Sequence, residues 1–180
     1  MIRVIDYMSE WSKEFEKLKS FLETEITANE IVHIGSTSVE GLAAKPIIDL
    51  IILAEEVELD SIIQKLDKLG YTHRGDLGIT GREAFSQNET VSKKYYSHHL
   101  YCGSPKNFHV KNLLSLSKFL KSNPGYVKKY SLLKKANAKL FPNDIDKYVE
   151  AKTDLIIEML KLSGMSEKDI KSIIEVNKAK

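Results

Sequence analysis

The stretch from His33 to Leu53 constrains the fold more than any other part of the chain. Two short apolar runs, 31–34 and 47–53, flank a turn of small residues that begins at Gly35-Ser36. Apolar runs of this length, bounded by Gly and Pro, are typical of buried strands. The sequence therefore predicts a strand–turn–strand unit around which the other elements are arranged.

Asp49 is the one carboxylate inside the second apolar run. Because successive strand residues point to opposite faces, Asp49 shares a face with Ile47, Ile51 and Leu53. An ionised carboxylate there is costly unless it is paired, hydrogen-bonded, bound to a metal or open to a cleft. Three explanations stay open: a structural salt bridge with Lys45 as the partner, a position at the exposed end of the strand, or membership of a functional site.

The turn Gly35-Ser36-Thr37-Ser38 is rich in backbone N–H groups and short hydroxyls, and its Gly allows a ligand to come close. Such a turn can form an anion-binding nest, or it can cap a short helix. A Gly-Ser turn followed by an acid on a strand resembles the nucleotidyltransferase superfamily pattern, in which an Asp-x-Asp follows. Here the second acid position is Ile51.

The wider wording, HIGSTSVEGLAAKPIIDLII, resembles the GrpB-like family, whose signature is HIGSTSVPGL-x-AKPIID. Glu40 replaces the family's Pro, and the resemblance continues through GDLGI-x-GRE-x-F to about Leu160. It implies an α+β fold: a nucleotidyltransferase-like mixed β-sheet of four or five strands, helices on one face and a helical C-terminal half beside the cleft. We expect residues 1–162 to form this domain and 163–180 to be its C-terminal helical extension.

The resemblance also implies a site that binds a nucleoside triphosphate or another phosphate-bearing small molecule, with Mg²⁺ as a possible cofactor. The implied catalytic residues are Asp49 and His99. The implied metal ligands are Asp49, His99 and Glu83. The implied nucleotide-binding residues are Gly35, Ser36, Thr37, Lys45, Arg82, Tyr101, Lys134 and Lys152.

Strand alternation supports part of this set independently. The run YYSHHLYC, 95–102, has strand composition. If Leu50 and Leu100 both face the helices, then Asp49, His99 and Tyr101 share the open face of the sheet. His99 could be a metal ligand or a proton carrier there, or an ordinary surface histidine.

The cationic candidates each have an ordinary alternative. Arg82 could grip a phosphate bidentately, or form a surface salt bridge with Glu83 or Asp76. Lys134 and Lys152 end the family motifs Y-x2-LK and Y-x2-AK and could close over a triphosphate, although lysines on a helix usually form a solvated face.

Apolar periodicity predicts helices over about 10–25, 59–69, 110–120, 125–140, 148–160 and 165–180. A net charge of +2 does not favour a nucleic-acid partner. One cysteine, Cys102, excludes an internal disulfide, and no stretch approaches the ~20 apolar residues of a membrane helix. With no signal-peptide pattern at the N-terminus, we expect a cytoplasmic protein.

Three functions follow as hypotheses. The first is metal-dependent transfer of a nucleotidyl group from a nucleoside triphosphate to an acceptor. The second is a non-catalytic nucleotide- or phosphate-binding module, which the apolar Ile51 favours because Ile cannot ligate a metal. The third is a protein-interaction scaffold, for which the C-terminal helix is the only sequence support.

Overall fold

The structure is a computed structural model that describes residues 1–27 and 29–171. Its strands are β1 (Glu30–Ile34), β2 (Ile48–Leu53), β3 (Tyr71–His73), β4 (Arg82–Gln87) and β5 (His98–Gly103). Its helices are α1 (Glu10–Leu22), α2 (Leu59–Lys68), α3 (Glu89–Lys94), α4 (Phe108–Ser122), α5 (Pro124–Leu140), α6 (Ile145–Glu150) and α7 (Thr153–Leu162).

The strands form one five-stranded sheet in the order β1-β2-β5-β4-β3. The central pair, β2 and β5, is parallel, and the other neighbouring pairs are antiparallel. The sheet is therefore mixed, and the α+β class predicted from the sequence is confirmed. The strand β4 was not predicted, because the sequence reading of residues 82–85 rested on a motif and not on alternation.

One face of the sheet carries the main core. The residues Trp11, Phe15, Leu18 and Leu22 recur at helical spacing on α1 and are buried. They pack with Ile62 and Leu66 of α2 against Ile48, Leu50, Ile52 and Leu100 of the two central strands. Burying one such Leu or Ile side chain contributes about 1.5–3 kcal/mol. Leu50 and Leu100 therefore face the helices, as predicted.

The opposite face carries Asp49, His99 and Tyr101, and the helical C-terminal half covers part of it. Val110 of α4 packs on Ile34 and Ile51, with Leu113 and Leu114 beside it. The apolar residues that β1 and β2 present on this face need such a cover. The second face is thus closed by α4 at Ile51, while Asp49 keeps partial exposure.

The turn between β1 and β2 is anchored on the helical half. Val39 and Leu42 pack in one cluster with Val127 and Tyr130 of α5 and with Met159 of α7. The backbone N–H of Ala43 also donates to Ser131 Oγ of α5 at 2.9 Å. These contacts hold α5 against the segment 39–43, which follows the Gly35-Ser36 turn.

Two predicted helices differ from the structure. The single helix predicted over 148–160 is two helices, α6 and α7, because the chain turns at Ala151-Lys152. The predicted C-terminal helix over 165–180 is helical at 167–171, and its remainder, 172–180, lies outside the described residues. Among the helices that the structure describes, none combines the length and apolar character needed to cross a membrane.

Candidate functional site

Asp49 and His99 form a pair across the two central strands. The parallel register aligns them directly, so their side chains leave the sheet on the same face. The His99 Nδ1–H group donates to Asp49 Oδ1 at 2.8 Å. The His99 side chain is 48% exposed and that of Asp49 is 29% exposed. The structure brings the two predicted catalytic residues together, and their catalytic roles stay predictions.

The backbone of Gly35 lies directly against the carboxylate of Asp49. The antiparallel register pairs Ile34 with Asp49, so the next residue, Gly35, lies against the carboxylate. A Cβ atom at Gly35 would lie 2.5 Å from Asp49 Oδ2. The backbone of Gly35 also has a φ of +68°, which side chains other than Gly rarely tolerate. Both the close approach and the backbone conformation require glycine here.

Hydrogen bonds of Thr37 and His33 stabilise the turn from the interior of the fold. The Thr37 hydroxyl donates to the carbonyl of Ile47 at 3.3 Å and accepts from His33 Nε2 at 3.0 Å. Burial, together with the charge of Lys121, lowers the pKa of His33 to about 4, so its ring is neutral at pH 7. Thr37 is only 1% exposed. The side chain of Thr37 is therefore engaged inside the fold, and a contact between Thr37 and a nucleotide stays a prediction that only its backbone could fulfil.

The hydroxyl of Ser36, in the same turn, is available to bind a ligand. Its side chain is half-buried and forms no hydrogen bond with any residue that the structure describes. The neighbouring Ser38 hydroxyl, in contrast, donates to the Gly35 carbonyl at 2.8 Å. Of the turn hydroxyls, Ser36 is the one that is free to bind a ligand.

The guanidinium group of Arg82 lies over the ring of Tyr101 at the other end of the site. Its Cζ atom is 4.3 Å from the centroid of the Tyr101 ring. Burial lowers the pKa of Arg82, while the phenol of Tyr101 and the carboxylate of Asp49 oppose this. Its Nε–H group is buried and has no hydrogen-bond partner in the described part of the chain. Arg82 is therefore not engaged in the surface salt bridge that was its alternative.

Glu83 is excluded from the site by strand alternation. The register of β4 on β5 pairs Ala84 with Tyr101 and Glu83 with Cys102, so Glu83 leaves the sheet on the face opposite to Asp49. Its Oε2 atom instead accepts from His73 Nε2 at 2.7 Å. The prediction that Glu83 helps Asp49 to hold a metal is corrected by this geometry.

Lys134 enters the site from α5. It is 3% exposed, and its Nζ atom lies 5.2 Å from the centroid of the Tyr130 ring, one turn earlier. It forms no ion pair or hydrogen bond with any residue that the structure describes. Burial lowers the pKa of Lys134 to about 7; Lys152 lowers it further and Asp49 raises it. Lys134 is thus a buried amino group without a counter-ion, and it holds its proton less firmly than an ordinary lysine.

Lys152 reaches the same place from the turn between α6 and α7. Its Nζ atom lies 4.3 Å from the centroid of the Tyr148 ring, and burial with the charge of Lys45 lowers its pKa to about 8. Asn137 of α5 fixes this turn by donating to the carbonyl of Ala151 at 3.1 Å. Residues three apart lie on one side of a helix, so Asn137 holds the turn that carries Lys152 on the same side of α5 as Lys134.

Arg82, Lys134 and Lys152 each interact electrostatically with Asp49, and Lys45 lies close enough to act on the two other lysines. We call these four residues the cationic cluster: Lys45, Lys134, Lys152 and Arg82. Within the described residues, Asp49 forms its ion pair with His99, and the salt bridge to Lys45 that was considered from the sequence is not present. Unpaired charges in a partly buried site are costly. The arrangement is suited to an anion that carries several negative charges.

The donors at this site do not fit a protein-held Mg²⁺ ion. Mg²⁺ requires near-octahedral oxygen ligands. Asp49 supplies one carboxylate beside the turn, and the second acid position, Ile51, is 0% exposed beneath Val110. No group of three or more His, Cys, Asp or Glu side chains in the described chain is arranged to hold a metal.

Comparison with known sequences identifies relatives of the chain. A family model described as GrpB protein matches residues 1–162. The UPF0157 protein YqkA of Bacillus subtilis is 33% identical over 160 residues, which are 86% of this chain and 45% of that protein. Glutamate-rich protein GrpB of Alkalihalophilus pseudofirmus is 32% identical over 165 residues, which are 87% and 92% of the two chains. The chain thus spans less than half of the first relative and most of the second.

Solved structures agree with these relatives. The crystal structure of the conserved protein GrpB from Enterococcus faecalis has a TM-score of 0.76 and 32% identity, covering 89% of this chain and 96% of that one. A mutant of the Cid1 poly(U) polymerase bound to MgATP has a TM-score of 0.55 and 15% identity, covering 83% and 50%. The latter likeness shows the fold alone, which is of the predicted nucleotidyltransferase type. The chain belongs to the GrpB family.

Proposed function

We propose that the protein binds a nucleoside triphosphate, or another small molecule with a chain of phosphates, between the Gly35-Ser36 turn and α5. The observation that carries the proposal is Lys134, which is 3% exposed and has no counter-ion among the described residues. A folded protein gains little from such a group, because burying an unpaired charge is costly. A bound anion would compensate that cost.

The other groups of the site support a phosphate chain in particular. The free hydroxyl of Ser36 and the backbone of Gly35 would contact one end of the chain. The planar guanidinium of Arg82 suits bidentate contact with phosphate oxygens, and the lysines act as point charges. The fold agrees with this, since the structurally similar Cid1 chain was solved with MgATP.

The test is thermal unfolding with ATP, GTP, CTP and UTP. A ligand at ~100 times its dissociation constant stabilises the folded state by ~2.7 kcal/mol, which raises the melting temperature of a domain of this size by about 5–10 °C. We expect at least one nucleotide to produce such a shift in the wild type and in Lys139→Met, an exposed lysine of the same helix. Lys134→Met should lose the shift. No shift with any nucleotide, or an equal shift in Lys134→Met, would contradict the proposal.

The Asp49–His99 pair favours nucleotidyl transfer as a second candidate function. Asp49 orients the imidazole through Nδ1, which leaves His99 Nε2 free to accept a proton. In that reaction an acceptor hydroxyl attacks the α-phosphorus, its proton passes to His99, and the bond to pyrophosphate breaks. Water is the simplest acceptor, giving a nucleoside monophosphate and pyrophosphate.

Pyrophosphate release tests this second candidate. We expect the wild type to release pyrophosphate from the nucleotide that shifts its melting temperature. His99→Gln should keep the thermal shift and lose most of the release, because Gln cannot take up the proton. Equal release by the two proteins would contradict the role of His99, and release by neither would contradict transfer to water; both results leave the binding proposal in place.

A further inference from the structure

We infer that the site binds its phosphate ligand in the metal-free form, with the cationic cluster in the role that divalent ions have in metal-dependent enzymes. The inference rests on the proposed function and specifies the ionic form of the ligand. It is argued from Asp49, from the positions next to it and from the unpaired cations.

Asp49 is hindered as a metal ligand on both of its oxygens. Oδ1 accepts the hydrogen bond from His99 Nδ1 at 2.8 Å. Oδ2 lies so close to the backbone of Gly35 that a Cβ atom there would be 2.5 Å away. Mg²⁺ bound by carboxylate lies ~2.1 Å from its oxygen ligands and keeps a near-octahedral shell. A shell of that size competes directly with the imidazole and the turn.

The positions beside Asp49 cannot supply a second oxygen ligand. Ile51 follows Asp49 by two positions on β2 and is fully buried against Val110 of α4. Opposite Ile51 on β5 is Tyr101, whose ring lies beneath the Arg82 guanidinium. The residues beside Asp49 on this face of the sheet therefore supply no second ligand for a metal.

The cations that lack an ion-pair partner also favour a metal-free ligand. Lys134 is 3% exposed and Arg82 is half-buried with a buried Nε–H group, and neither has an ion-pair partner in the part of the chain that the structure describes. A divalent cation beside Asp49 would be repelled by the whole cationic cluster and attracted by one carboxylate. A metal-free polyphosphate would instead be attracted by the cationic cluster and repelled by the one carboxylate.

The inference fixes the sign of two effects. Because Mg²⁺ neutralises part of the charge of a polyphosphate, adding Mg²⁺ should weaken binding or leave it unchanged. Because the carboxylate of Asp49 attracts Arg82, Lys134 and Lys152 and would repel a polyphosphate, Asp49→Asn should bind more tightly than the wild type. A metal-dependent site predicts the opposite sign for both.

The experiment is calorimetric titration of inorganic tripolyphosphate, once with EDTA and once with excess Mg²⁺. In EDTA we expect binding by the wild type and by Lys139→Met, tighter binding by Asp49→Asn, and binding weakened about 10- to 100-fold in Lys134→Met. Lys152→Met carries the same expectation if Lys134→Met does not fold. Melting curves of each variant establish that it is folded.

The outcomes separate this inference from the proposed function. Binding that requires Mg²⁺ and is lost in Asp49→Asn would overturn the inference and leave the proposed function standing. Affinity in EDTA that is equal in the wild type and both lysine variants would overturn it as well. Absence of binding in both titrations would overturn the proposed function, and this inference with it.

Discussion

Replacing Lys134 by Met should stabilise the protein in the absence of ligand. The ammonium group is 3% exposed and has no counter-ion among the described residues. Burial, and then the charge of Lys152, lower its pKa from 10.5 to about 7. Met is similar in length, fills irregular space and carries no charge, so it removes the cost with little change in packing.

The magnitude follows from the two pKa values. The unfolded chain holds the Lys134 proton up to pH 10.5, whereas the folded chain releases it near pH 7. At pH 7 the difference disfavours the folded wild type by about 4 kcal/mol. Loss of the Tyr130 contact offsets about 1 kcal/mol, which leaves Lys134→Met about 3 kcal/mol more stable at pH 7.

The pH dependence has a definite sign. Between pH 7 and 10.5 the unfolded wild type binds more protons at Lys134 than the folded wild type. Its stability therefore rises with pH in this window, by up to ~1.4 kcal/mol per unit. The advantage of Lys134→Met is fully present well below pH 7 and shrinks as the pH rises through 7 towards 10.5.

Urea unfolding of the wild type, Lys134→Met and Lys139→Met at several pH values between 7 and 10 measures the effect. Lys139 is exposed, so its replacement should change the free energy of unfolding by less than ~0.5 kcal/mol. A Lys134→Met protein that is less stable than the wild type at pH 7, or a difference between them that does not change with pH, would refute the reasoning.

Three further predictions concern other parts of the site. Gly35→Ala should lower the free energy of unfolding by about 1–3 kcal/mol, because the new Cβ would lie 2.5 Å from Asp49 Oδ2 at a positive φ; a urea unfolding curve identical to that of the wild type would contradict this. Wild-type stability should fall as the pH drops from 6.5 towards 4, since the folded state keeps His33 neutral while the unfolded state protonates it; in His33→Gln the decline measured by urea unfolding should be smaller, and an equal decline would count against the assignment. Glu83→Gln should leave the calorimetric affinity for tripolyphosphate unchanged, because Glu83 lies on the opposite face of the sheet; a weakened affinity would show that this placement is wrong.

The sequence predicted those parts of the site that depend on one strand or one local motif. Alternation alone placed Asp49, His99 and Tyr101 on one face, because β2 and β5 are regular and their buried leucines fix the phase. The four-residue spacing from Tyr130 to Lys134 is likewise a local signal, since residues one turn apart on a helix are neighbours.

The remaining parts depend on contacts between distant segments. The burial of Thr37 requires His33 and the Ile47 carbonyl to converge on its hydroxyl. The position of Lys152 depends on a break at Ala151 that Asn137 of α5 stabilises. The face of Glu83 could not be assigned until β4 was known to be a strand. Only the tertiary fold supplies this information.

The most direct test of the account is a crystal structure of the protein grown with a non-hydrolysable ATP analogue and without divalent metal. The account predicts electron density for the phosphate chain between the Gly35-Ser36 turn and Lys134, with Arg82 Nε at hydrogen-bond distance from a phosphate oxygen. A nucleotide bound elsewhere on the surface, or a site without nucleotide at a saturating concentration, would contradict it.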